Sequence, residues 1–185
     1  LMPFFRAEPS HTPRHLAEGK QFEFEMGFFE HWHEILDIQE ACIKYIVKHL
    51  HAHCHNELAV LDHQIIAAPE NVAFPRITFA QAQEIYFQRT GIDERHEPDL
   101  SPAAEKELCI FAKEKHGTDL IFITDWLTHK RPFYAFPSFE NPNLSNTFDL
   151  LCNGTEITSG GQRRHTHASM VEGLLSKSMD PAGFE

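Results

Sequence analysis

Arg6 and Glu8 open the chain, Arg14 and His15 follow within a short polar loop, and Gln21, Glu23 and Glu25 recur at every second position beyond it. Arginine grips phosphate through a planar, two-pronged fork. Arg6, Arg14 and His15 converging on one side of a hairpin would therefore form a polyphosphate cradle that needs no glycine-rich loop. A solvated strand face carrying ordinary surface ion pairs accounts for the same pattern.

A second group lies late in the chain. Asp149 and Glu156 flank the dipeptide Asn153-Gly154, a strong hairpin turn signal. Carboxylates so placed can share one face of adjacent strands. Their hard oxygens suit Mg²⁺, which takes one or two carboxylates and fills its other positions with water and phosphate oxygens. Ser159-Gly160-Gly161-Gln162-Arg163 follows directly. Paired glycines inside a strand mark a bulge or a ligand lying against the backbone, and Arg163 would point its fork into the same space. Two surface carboxylates and an ordinary bulge are the alternative. A third group, His49, His51, His53, Cys54 and His55, offers zinc-ligand types, with His49 and His53 on one helical face and His51 and His55 on another. Histidines at a helix end that favours positive charge are the competing explanation.

These groups need elements to position them. Phe5 and Ala7 alternate with Arg6 and Glu8, and Phe22, Phe24 and Met26 alternate with Gln21, Glu23 and Glu25, which predicts an antiparallel hairpin running through to Met26. Apolar residues Ile35, Leu36, Ile38, Cys42, Tyr45, Ile46 and Leu50 predict one amphipathic helix over 34–55, followed by an irregular stretch over 56–73. Thr78 with Gln81 is a capping box opening a helix that stops at Thr90-Gly91, and Ser101-Pro102 opens another that ends at His116-Gly117. Strands are expected over 120–124, 132–136, 147–151 and 156–163, and a last helix over 167–179. Strands that pair as hairpins with helices between them predict an α+β fold with an antiparallel β-sheet flanked by helices.

The length of 185 residues suits one domain with a substantial core, and 42% hydrophobic with 23% charged residues reads as globular. A net charge of −11 argues against a surface devoted to non-specific nucleic-acid binding. No run is apolar enough to span a bilayer, so no membrane partner is expected. Cysteines 42, 54, 109 and 152 form no CxxC pair or disulfide framework, which suggests a reducing, cytoplasmic setting. Leu1 opens inside strand-like sequence without a preceding Met, and both ends look cut, so a fragment of a larger protein is expected.

Phe5-Arg6-Ala7-Glu8, then Thr12, Arg14-His15-Leu16, Glu18 and Glu25-Met26, resembles motif 2 of the class II aminoacyl-tRNA synthetases, in the aspartyl/asparaginyl/lysyl branch. Phe74-Pro75-Arg76-Ile77-Thr78, Arg131-Pro132-Phe133-Tyr134, Phe148-Asp149-Leu150 and Glu156-Ile157-Thr158-Ser159-Gly160-Gly161-Gln162-Arg163 follow in the order of that family, most similarly to aspartyl-tRNA synthetases of the archaeal type. The resemblance covers nearly the whole chain, 51–73 and 91–100 excepted.

The resemblance implies an antiparallel sheet of about six or seven strands and activation of aspartate by ATP, with transfer to tRNA. It assigns Arg6 to the α-phosphate and a substrate carboxylate oxygen, Glu8 to adenine, and Arg14 and His15 to the β- and γ-phosphates. Asp149 and Glu156 would hold Mg²⁺. Gln21, Glu23 and Ser159 would seat the amino acid, and Arg163 would fork its side-chain carboxylate. Arg6 and Arg163 are thus the residues expected to carry catalysis.

Gly19 departs from the family by standing where many members carry a Phe that stacks on adenine, which leaves Phe22 or a residue outside the chain to take its place. Glu23 replaces a usual Asp, and Leu127 a usual proline. Motif 1, motif 3 and the anticodon-binding domain have no counterpart, so the chain is expected to run from motif 2 to just before motif 3, to come from a homodimer, and to be inactive alone. Asparaginyl-tRNA synthetases and relatives of asparagine synthetase that lack the anticodon domain share much of this frame; Gln162 favours aspartate.

Overall fold

Every residue of the segment Thr147–Cys152 is buried, and so is every residue of Leu120–Thr124. Strands hidden on both faces are mostly apolar, and these two, with Asp149 as the charged exception, form the middle of the structure. The computed structural model describes residues 1–7, 16–60 and 66–184. Its elements are β1 (Met2–Phe5), β2 (Glu18–Gln21), α1 (Glu34–His53), α2 (His55–Val60), β3 (Arg76–Thr78), α3 (Phe79–Thr90), α4 (Pro102–His116), β4 (Leu120–Thr124), β5 (Thr147–Cys152), β6 (Thr155–Gly161) and α5 (His167–Ser176), with 3₁₀ turns at Thr128–Lys130 and Pro181–Phe184.

β3, β4, β5 and β6 form one sheet in that order, while β1 and β2 form a separate ribbon. β4, β5 and β6 are antiparallel, and β3 runs parallel to β4. Alternate residues feed two cores. Ile121, Ile123 and Leu151 pack with Phe79 and Ala82 of α3 and Leu108 and Ala112 of α4. Leu120, Phe122, Phe148 and Leu150 pack on the other side with Trp32, Leu36 and Phe74. The sheet is therefore the filling between α1 and the α3–α4 pair.

Local chemistry sets the helix boundaries as predicted. Thr78 Oγ1 accepts from the Gln81 amide at 3.1 Å and the Gln81 side chain accepts from the Thr78 amide at 2.9 Å, while Gly91 ends α3 at φ 75°. Ser101 caps α4, with Pro102 in its first turn, and Gly117 ends it at φ 70°. Asn153 and Gly154 both adopt positive φ, as a two-residue hairpin turn requires.

Several expectations are corrected. The second opening strand stops at Gln21, because its partner β1 begins at Met2 and pairs Met2 with Gln21, leaving 22–26 without a ladder. The segment 132–136 is no strand. Pro132 has no N–H to give, the Ala135 amide turns back to the Pro132 carbonyl at 3.0 Å, and Ala135 makes only an isolated bridge with Arg163. The stretch 56–73, expected to be irregular, contains most of α2. β3 was unforeseen, three residues between Pro75 and the capping box being too few to show a period. The antiparallel sheet is in fact mixed, and the described residues form four strands plus the two-stranded ribbon rather than six or seven in one sheet.

α5 docks through a close approach. Arg164 donates from Nε to the Ala135 carbonyl at 3.2 Å and from Nη1 to the Ser169 carbonyl at 3.0 Å, and a Cβ on Gly173 would run into the Phe133 carbonyl oxygen. Gly173→Ala is therefore expected to cost about 1–3 kcal/mol, read as a shifted denaturant midpoint. An unchanged midpoint would contradict this docking.

Candidate active site

β5 places Asp149 at the middle of the sheet, 4% exposed. Its cross-strand partner on β6 is Ser159, and after a register irregularity at Leu150/Leu151, Leu151 partners Glu156. Residues two apart on a strand share a face, as do cross-strand partners, so Asp149, Ser159 and Glu156 lie on one side. Asp149 is buried and Glu156 exposed, which gives the site a dry end and a wet end.

Burial pushes the Asp149 carboxyl up to about 7; the Arg131 charge acts against this, and Glu156 adds to it. Arg131 Nη2 donates to Asp149 Oδ2 at 2.7 Å. The other carboxylate oxygen, Oδ1, is buried with no hydrogen-bond partner among the described residues, and so is Arg131 Nε. A buried acceptor without a partner is costly unless a ligand completes it. The oxygen Oδ1 is in chemistry a fit for a hard divalent cation. Among the described residues no group of three or more His, Cys, Asp or Glu could hold a metal; a cation held by Asp149 and Glu156 would take its other ligands from water and phosphate.

Arg163 leaves the end of β6 and bridges Ala135. Its Nη1 donates to Glu25 Oε1 at 2.6 Å, and its guanidinium stacks over the Tyr134 ring at 4.8 Å. The Arg163 and Glu25 side chains are 57% and 75% exposed, so the opening segment reaches the distal hairpin through a solvent-washed ion pair.

Arg6 sits just past β1. Its amide continues the ribbon by donating to the Ala17 carbonyl at 2.8 Å, and its exposed guanidinium lies 5.4 Å from the Phe4 ring. Glu8, Arg14 and His15 lie outside the described residues. The Gln21 amide donates to Glu23 Oε1 at 2.5 Å, both at the open end of β2.

Gly19 pairs with Phe4, and a Cβ there would lie 2.6 Å from the Phe4 ring. Phe4 thus fills the space above Gly19, and Phe22 instead packs towards Phe24 at 6.4 Å. Gly160 and Gly161 have an internal reason: a Cβ on Gly160 would meet the Phe148 ring at 2.8 Å, and one on Gly161 the Asn146 carbonyl oxygen at 2.5 Å.

The histidine run gathers no metal-binding cluster. His49 and His53 face each other with ring centroids 4.5 Å apart, but His51 lies on another face of α1, Cys54 ends that helix and His55 starts α2. A cavity of about 440 Å³ beside the start of α3, lined by Thr78, Gln83, Arg95, His96 and Asp125 among others, contains none of the residues predicted for the site.

Reading the sequence left Arg131, Phe4 and the pairing of Glu25 with Arg163 unassigned. Arg131 enters the resemblance within Arg131-Pro132-Phe133-Tyr134 without a role, and only the fold puts it beside Asp149. Phe4 was recoverable in principle, since an aromatic two positions before Arg6 sits across a hairpin from Gly19.

The mixed sheet between helices, with Asp149, Ser159 and Glu156 on one side of β5 and β6 and the exposed Arg163 at the end of β6, defines an α+β core. The sequence pattern of the family described as tRNA synthetases class II (D, K and N) matches residues 1–185, and the chain belongs to that family. It is 36% identical over its full length to an aspartate–tRNA(Asp) ligase of Pyrococcus horikoshii, and 36% identical to an aspartate–tRNA(Asp/Asn) ligase of Thermus thermophilus, spanning 42% of each relative. Among solved structures it resembles an aspartyl-tRNA synthetase of Entamoeba histolytica, with TM-score 0.83 and 32% identity over 98% of this chain and 37% of that one. An asparaginyl-tRNA synthetase of Pyrococcus horikoshii shares the fold at TM-score 0.79 and 22% identity, across 99% of this chain and 41% of that one.

An exposed ion pair contributes no more than about 1 kcal/mol. Glu25→Gln and Arg163→Leu are accordingly each expected to leave the unfolding free energy within about 1 kcal/mol of the parent; a larger loss in urea titration would mark Arg163 as a structural residue.

Proposed function

We propose that this chain is the nucleotide- and amino-acid-binding part of an aspartate–tRNA ligase, which condenses aspartate with ATP and passes the aspartyl group to tRNA. The observation that carries the reading is Arg163, an exposed guanidinium stacked on Tyr134 that already holds a carboxylate, that of Glu25. A substrate aspartate offers the same group and would displace Glu25 from the fork. Relatives named for aspartate, matched over the whole chain, support the choice of amino acid.

Positioning and charge neutralisation do the chemistry. Arg6 brings an α-phosphate oxygen and the substrate α-carboxylate together. That carboxylate attacks phosphorus in line, the new P–O bond forms, the α–β anhydride bond breaks and pyrophosphate leaves. Arg14 and His15 hold the departing phosphates, and Glu8 reads adenine. The Phe4 ring laid over Gly19 offers the base an aromatic surface beside Arg6. Gln21, Glu23 and Ser159 seat the amino acid, and Arg163 fixes its side chain. Asp149 and Glu156 would hold Mg²⁺, which neutralises phosphate charge when bound. A terminal ribose hydroxyl of tRNA then takes the aspartyl group and AMP leaves. Binding of tRNA falls mostly to parts beyond these residues, in a cytoplasmic homodimeric parent.

Amino-acid-dependent ATP–pyrophosphate exchange by the full-length parent tests the reading. Aspartate is expected to support exchange and asparagine not. Exchange with asparagine alone would move the protein to the neighbouring specificity, and none with either would end the ligase reading. Losing a charge-assisted contact of about 2–3 kcal/mol, Arg163→Leu should cut aspartate-dependent exchange roughly 100-fold while ATP binding holds. Equal loss of both would remove Arg163 from the assigned role.

A further inference from the structure

Arg131 meets Asp149 in an incomplete way. A guanidinium opposite a carboxylate commonly forms two parallel bonds, which satisfy both oxygens and two N–H groups. Here one bond is made, Nη2 to Oδ2 at 2.7 Å. Arg131 Nε and Asp149 Oδ1 are both buried without partners among the described residues.

The surroundings fix this arrangement. The Arg131 guanidinium lies over the Trp126 ring at 4.5 Å. Trp126 is itself held by its indole N–H to the Ile123 carbonyl at 3.1 Å and by the Phe79 ring at 4.7 Å. Behind Arg131 the backbone is turned by the 3₁₀ segment Thr128–Lys130, with the Arg131 amide on the Thr128 carbonyl at 3.2 Å, and ahead of it Pro132 fixes the chain direction. The side chains of Arg131 and Asp149 are 18% and 6% exposed, so neither swings freely into solvent.

We infer that Arg131 is a positioning residue for the cation site: it takes one oxygen of Asp149, locks the carboxylate plane, and leaves Oδ1 as the single inner ligand that Asp149 presents beside Glu156. This rests on the nucleotide–magnesium reading above. An unanchored Asp149 would lose its fixed aim, and partners that orient metal ligands are worth about 10- to 100-fold in metal affinity. Because only one N–H does the holding, Lys at position 131 can reproduce the contact, which it could not do for a two-bonded fork.

The test uses the full-length protein with a non-hydrolysable ATP analogue and Mn²⁺ as probe, binding being read by electron paramagnetic resonance and folding by thermal melting without metal. Arg131→Met is expected to weaken Mn²⁺ binding at least about 10-fold, and Arg131→Lys to stay within about 3-fold of the parent. Should the Met variant fail to fold, Arg131→Gln, which keeps an N–H but no charge, is expected to fall between the other two. Parent-like Mn²⁺ binding in Arg131→Met or in Arg131→Gln would overturn the inference while leaving the nucleotide reading intact. So would equal loss in Arg131→Met and Arg131→Lys, which would mark a packing role. Absence of Mn²⁺ binding by the parent itself would sink both.

Discussion

The ion pair between Arg131 and Asp149 sets a carboxylate in the middle of β5, a strand whose six residues are all buried. Charge in such a place is costly unless it is paired and fully hydrogen-bonded, and one of its oxygens is not. The rest of the structure serves this constraint. β4 and β6 hold β5 from either side, the two cores close its faces, and Trp126 carries Arg131 into range. Along β6, most of whose residues are exposed, the sheet opens towards solvent. The candidate site is therefore a rim of polar groups on the edge of a dry sheet, with one buried carboxylate oxygen of Asp149 left without a partner among the described residues.

Helices were legible from the residues because their ends carry their own chemistry. Thr78 with Gln81, Ser101 with Pro102, and glycines 91 and 117 define α3 and α4 locally, without reference to the rest of the chain. The Asn153-Gly154 hairpin is local too, and it put Asp149 and Glu156 on one face as expected, with Ser159 opposite Asp149. Long-range pairing was not legible. The alternation through Met26 looks like strand, yet nothing pairs with it past Gln21; Arg76–Thr78 looks like nothing, yet it adds a parallel strand to the sheet. Arg131 was quoted for its family resemblance only, since 18 residues separate it from the acid it holds.

The glycines show how one residue type answers different needs. Gly160 and Gly161 suggested a ligand against the backbone, but the Phe148 ring and the Asn146 carbonyl occupy that space. Gly19 was a loss in the resemblance, an aromatic missing from the opening hairpin. Its cross-strand partner Phe4 lays a ring over Gly19, two residues from Arg6, so the hairpin has an aromatic surface there although position 19 has none.

What joins the two hairpins is the exposed contact of Arg163 with Glu25. The decisive measurement is a crystal structure of the full-length protein with a non-hydrolysable aspartyl-adenylate analogue. In that structure Arg163 is expected to have released Glu25 and to fork the side-chain carboxylate of the analogue, with Arg6 at its phosphoryl position. An analogue bound elsewhere, with the Arg163–Glu25 pair unbroken, would contradict it.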